Sequence, residues 1–289
     1  MRPLCGAVGR AIRELLLGLG TVAAIAGCAR ATNLLDPTTP GFSGEYAPQL
    51  PDTPATSHIR IVTFNIKLAR RIDRAIEVLR SDSLRDADIL ALEEMDDAGV
   101  DRIARALRLN YVYYPGSIHP TDRKYFGPAV LSRWPIERSW KLLLPHQPGI
   151  RHQLRTATGA EIRLRGLRVR VYAVHLATPY RFSDAARADQ VRTILAAAAG
   201  FDGPVVIAGD FNDYGVGRLL VRRGYRWLTA RLDPTISFFS WDHIFVRHLS
   251  PARPASAGVV RRVHGASDHR PVWAVVVPEG RGSGGLALP

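Results

Sequence analysis

A set of oxygen- and nitrogen-bearing side chains sits where apolar runs end, the places where a folded chain can gather them. Asn65 closes Ile61-Val62-Thr63-Phe64, Glu94 closes Ile89-Leu90-Ala91-Leu92, and His175 closes Val171-Tyr172-Ala173-Val174. Asp210 and Asn212 close Val205-Val206-Ile207-Ala208-Gly209, and Asp268-His269 immediately precede Pro271-Val272-Trp273. An ionisable group beside an apolar strand is costly unless a hydrogen-bond partner or a metal satisfies it. Singly, each of these residues reads as an ordinary strand-end hydrogen bonder. Together, carboxylates, amides and imidazoles are the groups that hold a hard cation and move a proton. Alternation adds direction: His175 shares a strand face with Val169, Val171 and Ala173, and Asp210 shares one with Asn212.

Such groups need a scaffold, and β-rich runs alternate with helical patterns through the middle of the chain. The patterning predicts strands over Ile59–Ile66, Asp88–Glu94, Tyr111–Tyr114, Ala129–Arg133, Glu137–Leu144, Arg155–Ile162, Arg168–Leu176, Pro204–Phe211, Trp241–Val246 and Pro271–Val277. It predicts helices over Arg71–Leu84, Asp97–Leu107, Ser183–Ala199 and Gly217–Arg223, the third opened by Ser183 as N-cap. Many strands, few helices and hairpin-length gaps argue for two packed sheets flanked by helices. At 289 residues, 46% apolar and 22% charged, the chain can bury one large core in one domain. Its 25 glycines and 20 prolines follow no period, which excludes collagen-like and solenoid architectures. Both cysteines, Cys5 and Cys28, precede residue 29, which excludes a disulfide framework or a thiolate metal site in the body.

The chain's ends read differently. Arg2, Arg10 and Arg13 precede an apolar run from Leu15 to Gly27, too short to span a bilayer and shaped like a signal peptide over residues 1–27. Its end, Ile25-Ala26-Gly27-Cys28, is similar to the lipobox of bacterial lipoproteins. That likeness implies lipidation of Cys28 and a membrane-anchored protein of the cell envelope, facing the periplasm or exterior. Cleavage after Ala29-Arg30-Ala31, which would release a soluble protein, is one alternative, and a single uncleaved membrane anchor is the other. Residues 28–57 carry Pro37, Pro40, Pro48, Pro51 and Pro54 and read as an extended tether, leaving 58–278 as the domain and 279–289 as a disordered tail. The formal charge of +13 favours anionic partners such as nucleic acid, phospholipid head groups or phosphorylated solutes. Genomic base composition is the duller explanation, because Arg supplies 36 of the 39 basic residues. Arg163, Arg165, Arg168 and Arg170 read as a solvated hairpin face. Nothing in these residues specifies an oligomer, and a monomer is expected.

The ordered motifs Thr63-Phe64-Asn65-Ile66, Ala91-Leu92-Glu93-Glu94, Ala129-Val130-Leu131-Ser132-Arg133, Val174-His175-Leu176, Gly209-Asp210-Phe211-Asn212, Trp241-Asp242-His243-Ile244-Phe245 and Ser267-Asp268-His269-Arg270-Pro271 resemble those of the endonuclease/exonuclease/phosphatase superfamily. The resemblance implies a four-layer α/β sandwich, with two mixed, mainly antiparallel sheets packed face to face, and a divalent-metal phosphoesterase. By that resemblance Glu94 and Asp268 hold the metal with Asn65 completing the shell; oxygen ligands favour Mg²⁺, with Mn²⁺ as the alternative, over zinc. It also implies His269 as general base, Asp242 as its orienting carboxylate, Asp210 and Asn212 as positioners of the nucleophile, and His175 as a phosphate contact.

The expected activity is phosphodiester hydrolysis by metal-activated water, with a nuclease-like substrate favoured because a basic surface attracts a polyanion. Phospholipase C or sphingomyelinase-like and monoesterase activities are the alternatives, and a non-catalytic envelope lipoprotein that binds anionic ligands is the alternative of another class. Glu93 stands where many relatives have Gln, placing two carboxylates in succession, either protonated, paired or behind a ligand. Pro128 stands where Asn is common, and Lys67 where abasic-site endonucleases tend to carry an acid; Val174-His175-Leu176 resembles the histidine-bearing branches, deoxyribonucleases and sphingomyelinases. Arg155 suits either a phosphate contact or the surface. Trp140 with Leu142 to Leu144, and Phe238-Phe239 with Trp241, read as core packing or as lipid-touching loops.

Overall fold

The computed structural model describes residues 30–49, 58–147, 152–179, 182–253 and 256–279. In chain order the strands are β1 (Thr32–Asn33), β2 (Phe42–Gly44), β3 (Ile59–Asn65), β4 (Ile89–Met95), β5 (Asn110–Tyr113), β6 (Ser117–Ile118), β7 (Tyr125–Ser132), β8 (Ile136–Leu143), β9 (Thr156–Leu164), β10 (Leu167–His175), β11 (Val205–Asp210), β12 (Arg226–Trp227), β13 (Asp242–Arg247), β14 (Leu249–Pro251), β15 (Ala257–Val259) and β16 (Val272–Pro278). The helices are α1 (Ile72–Leu79), α2 (Asp97–Leu107), α3 (Asp184–Ala199) and α4 (Gly217–Arg222).

Period-two alternation sorts these strands into layers. In one sheet β1, β6, β7, β4, β3, β16 and β14 follow one another, with β5, β2 and β15 attached; in the other the order is β12-β13-β11-β10-β9-β8. Only β3/β4 and β10/β11 run parallel among the described pairs. Ile59, Ile61, Ile89 and Ala91 from the first sheet meet Val171, Ala173, Val206, Ala208 and Ile244 from the second in a shared inner core. The alternate residues Val62, Phe64, Leu90 and Leu92 face outward and are covered by Ala75, Ile76 and Leu79 of α1 and by Val100, Ile103 and Ala104 of α2. Tyr172, Val174, Val205 and Ile207 do the same beneath Val191, Ile194 and Ala198 of α3. The result is the four-layer α/β sandwich, and each fully buried aliphatic side chain contributes about 1.5–3 kcal/mol to it.

Several expected boundaries move for local reasons. Helix α1 stops at Leu79, short of the expected Leu84, because Ser81 begins a turn whose carbonyl accepts from the Leu84 and Arg85 amides. Ser183 does cap α3, accepting from the Ala186 amide at 3.2 Å. Arg170 is not on a solvated face: it is largely buried, pairs with Glu161 at 2.7 Å and lies 4.3 Å from the Phe201 ring centre. Phe238 and Phe239 are not core; they are 75% and 41% exposed.

The largest correction concerns the tether. Residues 30–49 belong to the domain: β1 pairs with β6 and β2 with β5. The Asn33 amide donates to the His152 carbonyl and its oxygen accepts from the Leu154 amide, both at 2.8 Å. Lys141 donates to the carbonyls of Leu34 (2.7 Å) and Thr39 (3.2 Å). No local pattern signals this, because two- and three-residue strands form only against a partner edge. Residues 1–29, which include the expected signal segment and Cys28, and most of the expected tail lie outside the described residues. Among the described residues no helix is long and apolar enough to cross a membrane.

Asn33→Ala should cost about 1–2 kcal/mol. Faster amide hydrogen exchange confined to residues 32–36 and Leu154, with the inner core unchanged, is the expected reading.

Candidate active site

Register places the candidate residues in rows. His175, the last residue of β10, pairs with Asp210, the last of β11, and Asp210 pairs with Asp242, the first of β13. The three share parity with Ala173, Ala208 and Ile244, so they continue the inner-core face to the sheet's end. In the opposite sheet Asn65 pairs with Glu93, in line with Ile61 and Ile89 of that same face. Parity alone would turn Glu94 outward with Leu92. It does not, because β4 shifts register between Leu92 and Met95 and Glu94 has φ 58°, a bulge that re-aims its side chain. Close backbone approach is why Gly209 precedes Asp210: its φ is 150°, and a Cβ there would lie 1.9 Å from the Val174 carbonyl oxygen.

Polar bonds tie the two sheet ends together. The Asn65 amide donates to Asp210 Oδ2 at 3.0 Å and to Glu94 Oε1 at 3.3 Å, bridging the sheets. The Ser267 hydroxyl donates to the Asn65 carbonyl at 2.7 Å and accepts from the His269 amide at 3.1 Å. His269 Nδ1 lies 2.9 Å from Asp242 Oδ2, and its Nε2 lies 3.7 Å from Asp210 Oδ2. Thr235 Oγ1 accepts from the amides of Trp241 and Asp242, holding the carboxylate's strand end. Behind His175, the Arg155 guanidinium meets Nδ1 at 3.1 Å. Arginine only donates, so Nδ1 accepts and the ring proton sits on Nε2, which faces Asp210 at 3.5 Å and Glu94 at 4.0 Å.

The electrostatics follow from crowding acids in a buried place. Burial, then the neighbouring Asp242 and Asp210, hold Glu93 well above the usual carboxylate range; Thr63 donates to its Oε1, and its Oε2 has no partner among the described residues. Glu93 is therefore a neutral acid, which is how it can occupy a place that suits a neutral amide. Burial pushes Asp210 up to about 7 against the pull of His269. For His269, burial opposes the imidazolium, but Asp242 and Asp210 outweigh it and raise the ring to about 10. His175 moves the other way: burial first, then Arg155 and His269, keep it well below its ordinary value and neutral.

Asp210, Asp242 and His269 present ligand atoms all within 4.8 Å of one another, and Asn65 links Asp210 to Glu94. Buried oxygen donors in excess of cationic partners suit a hard divalent ion. Two residues stand apart from this cluster. Asp268 is half-exposed at the rim, where Lys67 pairs with it at 2.8 Å. Asn212 is buried but gives its side-chain amide to the Leu176 carbonyl at 3.1 Å and its backbone amide to Asp210 Oδ1, so it shapes the loop. Arg155 is not a surface residue: it is buried and lies 5.2 Å from the Phe126 ring centre. Sequence reasoning missed Thr235 and Ser267 as holders of the site. Only Ser267 had a signal, its place beside Asp268-His269.

Where the opposed sheets end, the sandwich brings carboxylates and imidazoles together beside a buried arginine. The chain belongs to the Endonuclease/Exonuclease/phosphatase family, whose model matches residues 62–269. No curated protein matches this sequence. Among solved structures, an endonuclease/exonuclease/phosphatase from Bacteroides vulgatus is similar at 19% identity and TM-score 0.62, covering 77% of this chain and 100% of that one. TDP2 of D. rerio, complexed with a single-strand DNA product, is similar at 20% identity and TM-score 0.61, covering 76% and 99%. Sphingomyelinase C from Streptomyces griseocarneus is similar at 20% identity and TM-score 0.57, covering 77% and 100%. Likeness at these identities speaks to the fold.

The His269 shift makes a stability prediction. The imidazole titrates at 6.5 in the unfolded chain and at about 10 in the fold, so its contribution is complete below about pH 6.5 and is lost as the pH climbs toward 10. In EDTA, wild-type stability in urea should fall over that window. The fall should flatten in Asp242→Asn, which removes the carboxylate that raises His269.

Proposed function

We propose that this chain is a divalent-cation-dependent phosphodiesterase that attacks phosphorus with water, its natural substrate being of the nuclease type. The observation that carries this reading is the Asp242–His269 pair, its Nε2 turned toward Asp210 between two sheet ends rich in buried carboxylate. Phosphoester hydrolysis needs a base for water, a counter-charge for the phosphate and donors for the oxygens that gain charge. Asp242 orients His269 through Nδ1, and the ring, once it has lost its own proton, can take one from water at Nε2. Asp210 steadies the water and the imidazolium that forms, as its carboxylate lies 3.7 Å from Nε2. His175, with its proton fixed on Nε2 by Arg155, donates toward a phosphoryl oxygen without adding charge. Glu94 and Asn65 would hold the cation, with Asp268 joining from the rim by exchanging its Lys67 partner for the ion, Mg²⁺ or Mn²⁺ by the chemistry of their oxygens. When bound, it would neutralise the phosphate and lower the pKa of water.

The tests are direct. The protein should hydrolyse bis(p-nitrophenyl) phosphate with Mg²⁺ or Mn²⁺ and stop when EDTA is added. Asp242→Asn should lower kcat by about 10²- to 10⁴-fold. Because the carboxylate that raises His269 is gone, the alkaline rise of the residual activity should move to lower pH. Arg155→Met, which frees His175 Nδ1, should cost about 10- to 100-fold. Binding of DNA or lipid without any turnover would instead mark a non-catalytic binding protein.

The same reading places the enzyme on the cell envelope through a lipid on Cys28, a proposal supported by Ile25-Ala26-Gly27-Cys28. Cys28→Ser should move the protein from the membrane fraction to the soluble fraction.

A further inference from the structure

Beside the site, one turn displays rings to water on a stiff support. Ile236 and Phe239 exchange both backbone hydrogen bonds, at 3.1 and 2.8 Å, closing a tight turn with Ser237 at φ 49°. Ile236 also forms a β-bridge with His269, and Thr235 accepts from the Arg270 amide at 2.7 Å. With Thr235 holding the Trp241 and Asp242 amides as well, the turn is stitched to both members of the imidazole–carboxylate pair. From it Phe238 and Phe239 project, their ring centres 4.3 Å apart, and Phe239 stacks on Trp241 at 4.7 Å with 14° between the planes. Phe238 is the most exposed large apolar side chain among the described residues, at 75%. Rings held exposed on a fixed support mark a binding surface.

The loop leading into His269 meets basic residues. The loop that carries Asp268 lies against α1, where Arg74 donates to the His264 carbonyl at 3.1 Å and the Arg71 guanidinium lies beside Gly265. Neither arginine pairs with a carboxylate among the described residues, and Lys67 and Arg70 precede them on the same rim. Of the two segments that meet at His269, one thus meets guanidinium groups without a carboxylate partner among the described residues and the other carries a short stack of rings. A lipid surface would call for a broader apolar face than one two-residue tip. Charges for a backbone and flat rings for its bases are what a single strand of nucleic acid requires.

Resting on the phosphodiester chemistry proposed above, we propose that the Phe238–Phe239–Trp241 stack is a base-stacking platform. It would hold an unpaired nucleic-acid strand across the site, with the strand's phosphates along Arg71 and Arg74. Duplex bases, already stacked on one another, offer no free face to these rings.

Binding without hydrolysis separates this idea from the catalytic reading. Fluorescence anisotropy of labelled oligo(dT) on full-length protein in EDTA should show binding that is weakened about tenfold or more by Phe238→Ala and by Phe238→Leu. The leucine variant keeps apolar area but lacks a π face, and thermal melting of each variant checks its fold. Arg71→Gln and Arg74→Gln should each reduce the slope of log affinity against log salt by about 0.7. Equal affinity for oligo(dT) and a duplex, with neither phenylalanine variant altering it, would overturn the platform. So would unchanged oligo(dT) binding with lost sedimentation on phosphatidylglycerol vesicles, which would make the turn a lipid contact. Failure of the wild type to cleave bis(p-nitrophenyl) phosphate while it still binds oligo(dT) through Phe238 would sink the catalytic reading and leave the surface standing.

Discussion

Carboxylates gathered at one buried end of a β-sandwich are the constraint on which the rest of this molecule depends. Like charges roughly 4 Å apart repel by about 4 kcal/mol at the effective dielectric of protein sites. Glu93, Glu94, Asp210 and Asp242 all face that end, and each repulsion has a local answer. Glu93 keeps its proton, Asp242 shares charge with His269, and Asn65 donates to both Glu94 and Asp210. Arg155 stands behind His175 and withholds a second imidazolium from the cluster. What remains is a site with more negative charge than its own cations balance, ready for a hard ion and an electrophilic phosphorus.

The sandwich supplies the rigidity this needs. Strand pairing sets His175, Asp210 and Asp242 in one row, because laterally registered residues point the same way. Two small departures from regularity do the rest: the bulge at Glu94 brings a second carboxylate to the inner face, and Gly209 lets β11 pass the Val174 carbonyl. One hydroxyl, that of Ser267, fixes the distance between the Asn65 end of one sheet and the imidazole of His269.

The segment before the first long strand joins this scaffold. Through Asn33 it holds Leu154, the neighbour of Arg155, so a stretch remote in sequence supports the residue that sets the tautomer of His175. Its short ladders pair backbone groups, which any sequence could supply at an edge, and its side-chain bonds, such as Asn33 to Leu154 and Tyr46 to Asp101, depend on partners remote in the chain. This is why composition alone suggested a free tether.

Local order determined much of this. Alternation and its interruptions located the long strands and their polar ends, since a strand buried on one face must repeat every second residue. Of the residues singled out from the sequence, Asn65, Glu94, His175, Asp210, Asp242 and His269 do converge. Tertiary structure decided what depends on neighbours distant in the chain. It set Asp268 at the rim with Lys67, turned Asn212 to the Leu176 carbonyl, buried Arg155, and exposed Phe238. Those outcomes turn on which group arrives within 3 Å or so of another, and no side chain carries that information by itself.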